Sequence, residues 1–145
     1  MAQEISCRFT MIVRKDALTY QRTAVFQPTM GGDKGISPGM IVATPNGTNV
    51  DFSTLDFPGG VCFLTNLDPT NFVTYGVWDP TTLEFSPLGE ILPRESWPIR
   101  LSRFLGAEIG TGSGSGTGTV PGVTTSLRIR GSTANCNVLV EAFDA

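Results

Sequence analysis

The stretch Glu4-Ile-Ser-Cys-Arg-Phe-Thr-Met-Ile-Val13 decides the fold class of this chain. Apolar residues stand at every second position, which are Ile5, Cys7, Phe9, Met11 and Val13, and they alternate with Ser6, Arg8 and Thr10. Successive side chains of a β-strand point to opposite faces, so this period of two predicts a strand with one buried face. A second strand is expected over Leu18 to Gln27, where Pro28 interrupts the pattern.

The same alternation returns near the other end of the chain. Leu127 and Ile129 alternate with arginines, and the segment 135 to 143 alternates again. Between the two ends, the run Val61-Cys-Phe-Leu64 is apolar on both faces, as expected of a central strand. Turn residues separate these runs at near-regular spacing. About eight short strands of this kind predict an all-β, antiparallel sandwich or barrel.

One turn is specific enough to predict which strands it joins. Both positions of the Asn46-Gly47 pair tolerate a positive φ, which a two-residue hairpin turn requires. We therefore expect a hairpin between the run Met40 to Thr44 and a partner strand over Thr48 to Phe52.

Length and composition predict one domain over residues 1–145. Charged residues make up only 16% of the chain, while 17 Gly and 10 Pro favour short strands joined by turns. Residues 106–122 form a Gly/Ser/Thr-rich stretch, which we interpret as a flexible loop within the domain. This loop either projects into solvent or becomes ordered against a neighbouring subunit. In the second case Gly112, Gly114 and Gly116 would contact the partner.

The charge pattern argues against nucleic acid and membrane as partners. The net charge is -3, so no overall basic field attracts polyanions. No apolar run approaches the roughly 20 residues that a membrane-spanning helix needs, and no cleaved signal is recognisable. Five arginines of the last third could still form a local basic face, although outward positions of strands are the favoured interpretation. They are Arg94, Arg100, Arg103, Arg128 and Arg130.

Catalysis is not expected. The chain has no histidine, which removes the commonest general base and the commonest zinc ligand. The Gly-rich stretch contains no lysine and matches no phosphate-binding loop. Calcium ligation by Asp68, Asn71 and Asp79 is conceivable, but turn capping explains them better. Carboxylates remain for acid/base chemistry at Glu84, Glu90, Glu95 and Glu108, but their spacing does not make them converge. We predict no enzyme, no cofactor and no metal.

The cysteines and tryptophans have both structural and functional interpretations. Cys7, Cys62 and Cys136 lack metal-ligand spacing and are interpreted as buried thiols, with one disulfide plus a free thiol as the alternative. Trp78 and Trp97 each lie close to a proline. Core packing is favoured for both, and the alternative is an exposed anchor for a partner or a platform for a sugar.

Two stretches carry a family resemblance. They are Asn66-Leu-Asp-Pro-Thr-Asn-Phe-Val-Thr-Tyr-Gly76, and Phe85-Ser-Pro-Leu-Gly-Glu-Ile-Leu-Pro-Arg-Glu95 followed by Pro98-Ile-Arg-Leu101. This pattern resembles small β-sandwich structural proteins of tailed bacteriophages. The resemblance covers about the second half of the chain and implies a jelly-roll-like sandwich. It contains turn and strand residues but no reacting group.

The resemblance implies a virion structural protein, assembled in the host cytoplasm. The most concrete expectation is a capsid decoration or cement protein that binds the outside of an assembled capsid, with the major capsid protein as partner and a homotrimer as its form. The alternatives are a tail, connector or fibre-associated protein and a carbohydrate-binding module. The expected contact regions are residues 1–4, 28–39 and 106–122. The candidate contact residues are Trp78, Trp97, Arg94, Arg103, Gly112, Gly114 and Gly116.

Overall fold

A computed structural model describes residues 5–30, 32, 35–55, 61–80, 82–101 and 126–143. Within these ranges the chain forms antiparallel β-strands and no helix. The ten strands are β1 (Cys7–Lys15), β2 (Leu18–Phe26), β3 (Gly35–Ala43), β4 (Thr48–Asn49), β5 (Val61–Asn66), β6 (Val73–Asp79), β7 (Glu84–Ile91), β8 (Ser96–Arg100), β9 (Ser126–Gly131) and β10 (Cys136–Phe143). The all-β prediction is confirmed, and the predicted loop 106–122 lies outside the described residues.

The strands form three sheets. Two of them have four strands each, in the orders β3-β10-β5-β8 and β4-β9-β6-β7. The third is a two-stranded ribbon of β1 and β2. The described residues thus form ten strands, where about eight were predicted: eight lie in the two larger sheets and two in the ribbon.

A single hydrophobic core joins the two larger sheets. From β10 the side chains of Val138, Val140 and Ala142 are fully buried, as the alternation over 135 to 143 predicts. They belong to the same cluster as Ile129 of β9 and Val73 of β6, on the other sheet. Each fully buried aliphatic side chain contributes about 1.5–3 kcal/mol relative to exposure. The core therefore holds the two sheets together.

The prediction that the first strand has one buried face is wrong. Cys7 is buried at the base of β1, but Met11 is 54% exposed, and β2 is exposed along almost its whole length. The strand pairs only with β2, from Cys7 opposite Phe26 to Lys15 opposite Leu18. The period of two correctly indicates an amphipathic strand. The pattern does not show what covers the apolar face of the strand. Among the described strands, no other one covers that face.

The predicted hairpin at Asn46-Gly47 is also wrong, although the turn itself is present. Gly47 has a φ of 93°, and its backbone N–H donates to the carbonyl of Thr44 at 2.9 Å. After the turn, β4 pairs with β9 instead of returning along β3. The turn thus carries the chain from one sheet to the other, because β10 occupies the position next to β3.

Candidate interaction surface

A buried amide, Asn66, organises one end of the two sheets. Its side chain is fully buried, and its Nδ2 donates to the carbonyl oxygens of Asn71 (2.8 Å), Ile91 (3.2 Å) and Leu92 (3.2 Å). Its Oδ1 accepts the backbone N–H of Asp68 at 3.0 Å. Buried polar groups are costly unless they are paired, and this amide pairs with both turns that it lies between. One side chain therefore fixes the loop after β5 against the end of β7.

Two carboxylates stabilise the same turns from outside. Asp68 Oδ1 accepts the backbone N–H groups of Asn71 (2.6 Å) and Thr70 (2.8 Å), and these bonds lower the pKa of Asp68. Glu95 Oε2 accepts the N–H of Leu92 at 2.8 Å, and the Glu95 carbonyl accepts the N–H of Asn66. The sequence motif from Asn66 to Glu95 is thus a set of turn-forming residues. Its carboxylates bind backbone amides.

Four exposed side chains lie in these turns or directly after them along the chain, and we name them together the turn-end surface: Leu67, Leu92, Arg94 and Trp97. Trp97 is 49% exposed on the edge strand β8, and both leucines are also exposed. Arg94 is exposed between Leu92 and Glu95 and has a φ of 61°, a conformation that is unfavourable for a residue with a side chain. Trp and Arg are the residue types that dominate binding energy at protein interfaces. The turn-end surface is therefore the candidate site.

The two predicted tryptophans have different surroundings. Trp78 of β6 is partly buried, and the guanidinium of Arg128 lies 3.8 Å from its ring centroid. A cation over an aromatic face is attracted by the ring quadrupole, and here it covers that face of the ring. Trp97 is half exposed, contrary to the favoured interpretation of core packing. The structure therefore favours Trp97 over Trp78 as a contact residue.

The arginines of β9 are engaged within the chain. Arg128 Nη2 donates to the carbonyl of Asn46 at 3.0 Å, and Arg130 Nε donates to that of Pro45 at 3.1 Å. They hold the turn that crosses between the sheets, and this role had no signal in the sequence pattern. Among the predicted contact residues besides the two tryptophans, only Arg94 lies on the turn-end surface. Arg103, Gly112, Gly114 and Gly116 lie outside the described residues.

All three cysteines are free, buried thiols, as the sequence analysis favoured. Burial, with a smaller contribution from Glu141, raises the pKa of Cys62 to about 12. Burial also raises the pKa of Cys7. The pKa of Cys136 is raised by burial and by the negative charge of Asp68. A raised pKa keeps each thiol protonated and weakly nucleophilic at neutral pH.

Among the described residues, no group of three or more His, Cys, Asp or Glu side chains could hold a metal ion. The described residues also include no helix long and apolar enough to cross a membrane.

Compared with protein-family models, with curated proteins and with solved structures, the chain matches none of them. The function is therefore inferred from the sequence motif and from the surface that its residues present.

Proposed function

We propose that this chain is a virion structural protein of the capsid decoration type, which binds the outside of an assembled capsid and stabilises it. The observation that carries the proposal is the turn-end surface. Asn66 donates to the backbone of these turns, and Asp68 and Glu95 accept from it, so the turn backbone loses little conformational freedom on binding. The residues that build it are also those that resemble phage structural proteins.

The strand order supports a jelly-roll sandwich as the scaffold for this role. We count β3 as the first strand and β10 as the eighth. One sheet then has the order first, eighth, third, sixth, and the other has second, seventh, fourth, fifth. Two interlocked Greek keys produce this order, and jelly rolls occur in viral capsid and lectin domains. By analogy with these domains, the fold favours a capsid-associated or a carbohydrate-binding function.

The stabilising mechanism is additive burial at repeated contacts. Each copy would place Trp97 and Arg94 against the major capsid protein, and the many equivalent contacts of a capsid multiply a modest affinity. Binding only to the assembled shell stabilises that shell by mass action. We propose a homotrimer, because oligomers with closed rotational symmetry match the local axes of a capsid lattice.

The copy number of the protein in purified particles tests this proposal. We expect an amount close to that of the major capsid protein by quantitative mass spectrometry. A few dozen copies or fewer would instead favour a tail, connector or fibre-associated role. Absence from the particles would overturn the virion proposal.

The contact residues are tested by re-addition of the purified chain to particles that lack it. Wild-type protein should rebind and raise the temperature at which the capsid opens, whereas Trp97→Ala and Arg94→Gly should reduce binding at least about tenfold. Leu88→Ala is the matched control, because Leu88 is 65% exposed on β7, outside the turn-end surface. Equal binding by all four proteins would exclude the turn-end surface as the contact.

A carbohydrate-binding module is the second candidate, favoured by the half-exposed ring of Trp97 at a sheet edge. Aromatic rings stack on the apolar faces of sugars, and lectin domains use the jelly-roll scaffold. Glycan-array binding that Trp97→Ala abolishes and Trp78→Phe retains would support it. Absence of binding across the array would contradict it.

A further inference from the structure

The amino-terminal ribbon has one apolar face and one polar face. The register places Phe9, Met11 and Val13 of β1 on the same side as Tyr20 and Leu18 of β2, and we name these five residues the ribbon face. The opposite side is mostly polar, with Thr10 and Thr23 hydrogen-bonded at 3.1 Å. The ribbon face is largely exposed, with Val13 and Phe9 only partly buried.

A ribbon of this kind needs a partner. An isolated two-stranded hairpin is at best marginally stable in water, and a third strand or a packed layer is required for stability. β1 and β2 pair only with each other, although each strand has nine residues. The stacked rings of Phe9 and Phe26, 5.7 Å apart, stabilise only the base of the ribbon.

A second apolar surface lies on the outside of the sheet β3-β10-β5-β8 and is most exposed at β3. The register places Met40, Val42, Leu139, Phe63 and Pro98 on the side of this sheet that faces away from the core, and we name them the outer sheet face. Met40 is 66% exposed, Val42 is exposed, and the other three are partly buried. The exposed part of this face, Met40 and Val42, is apolar surface of the kind that interaction sites present.

The charges of the chain divide between the ribbon and the rest. The ribbon carries four basic residues, Arg8, Arg14, Lys15 and Arg22, and one acidic residue, Asp16. The whole chain has 13 acidic and 10 basic residues, so the remainder has 12 acidic and 6 basic residues. The ribbon is therefore net positive and the remainder net negative, and a second copy of the chain offers each its complement.

Charged residues lie on both apolar faces, including the exposed Arg100 opposite Val61 on the outer sheet face. Arg22 lies opposite Met11 on the ribbon face, and Glu141 lies opposite Phe63 on the outer sheet face. Within the described part of the chain, no ion pair involves either side chain. A ribbon packed against another ribbon would instead bring two positive surfaces together.

We propose that the ribbon is an exchange arm, whose ribbon face packs on the outer sheet face of a second copy with Arg22 beside Glu141. The two surfaces differ, so the contact is heterologous, and repeating it around an axis closes a ring. The proposal concerns the purified chain alone and does not depend on a role in a virion.

Oligomeric state in solution tests the proposal directly. We expect the wild-type chain to sediment as an oligomer, with Met11→Glu and Met40→Glu each weakening association at least about tenfold. Ile12→Glu is the matched control for the ribbon, because Ile12 is 52% exposed next to Met11 but points to the opposite face. Leu88→Glu is the corresponding control for the sheets. Circular dichroism establishes that each variant is folded.

Mixing the two disrupted variants distinguishes this contact from ribbon-to-ribbon pairing. Met40→Glu retains an intact arm, and Met11→Glu retains an intact outer sheet face. Their equimolar mixture should therefore form a heterodimer that neither variant forms alone. The charge contact has its own test, because Arg22→Glu and Glu141→Arg should each weaken association and the double variant should recover it. A monomeric wild-type chain would overturn the proposal and leave the ribbon to a foreign protein. Failure of the mixture to associate would overturn the heterologous contact.

Discussion

The side-chain amide of Asn66 donates to the carbonyl oxygen of Ile91 at 3.2 Å, linking the end of β5 to the end of β7. The same amide serves the carbonyls of Asn71 and Leu92. The two turns are not joined by strand pairing. The buried side chain of Asn66 links them instead. The stability of this end of the molecule should depend on it.

We expect Asn66→Ala to lower the free energy of unfolding by about 3 kcal/mol or more, because three carbonyls lose their donor and a cavity remains. Asn66→Asp should be worse at pH 7, because its carboxylate cannot donate and faces three carbonyl oxygens. It should recover part of the loss at acidic pH, where the protonated carboxyl donates once. Urea denaturation at both pH values measures this. A loss below about 1 kcal/mol for Asn66→Ala would show that the amide does not hold the turns.

The lowered pKa of Asp68 leads us to expect that the stability of the chain depends on pH. Hydrogen bonds from the Asn71 and Thr70 backbone lower its pKa in the folded chain below the ordinary value of 3.8. Its contribution to stability is therefore complete above that value and is lost as the pH falls through the lower, folded pKa. Asp68→Asn should reduce the melting temperature at pH 7 and reduce it less near pH 2.5. An equal reduction at both pH values would contradict this explanation.

The three thiols should differ in their reactivity toward a thiol reagent at pH 8. With a pKa of about 12, Cys62 is ionised only to about one part in ten thousand, and it is fully buried. Cys7 lies in the ribbon, which local opening exposes most easily because the core does not hold it. In the native chain we expect one slow reaction, that of Cys7, and Cys7→Ser should remove it. In urea all three thiols should react. Labelling of Cys62 before Cys7, mapped by mass spectrometry, would exclude this order.

Two substitutions of Arg94 distinguish an effect on binding from an effect on stability. Its φ of 61° costs about 1 kcal/mol for a residue with a side chain, and glycine adopts this conformation freely. Arg94→Gly should therefore be about 1 kcal/mol more stable than Arg94→Ala, while both remove the guanidinium from the turn-end surface. Chemical denaturation of the two variants gives the difference. Equal stabilities would show that the turn relaxes around the substituted residue.

The parts of the fold that the sequence predicted are those where alternation and burial coincide. In β10, Val138 and Val140 face the core, and the apolar run from Val61 becomes the interior strand β5. The first strand has the same alternation, yet its apolar face is uncovered. Alternation records which side chains share a face, whereas burial depends on what packs there.

The candidate site was predictable only in part. Arg94 and Trp97 were expected as contact residues, but the turn that carries Arg94 is held by bonds from Asn66 to residues more than 20 positions away. Leu67 and Leu92 were missed, because an exposed leucine in a turn has no pattern that distinguishes it from a buried one. Gly47 correctly indicated a turn. The direction of the chain after it is set by β10, which only long-range pairing reveals.

The position of β10 between β3 and β5 also has a consequence for biosynthesis. The ribosome synthesises β3 and β5 long before residues 136–143. Until β10 is made, the edges of β3 and β5 that pair with it are unpaired in the nascent chain. Such edges are templates for pairing with other chains. Nonlocal pairing of this kind folds slowly, and incomplete chains are prone to aggregate. We therefore expect productive folding to begin only after residues 136–143 have left the ribosome, and expression at reduced temperature to raise the soluble yield.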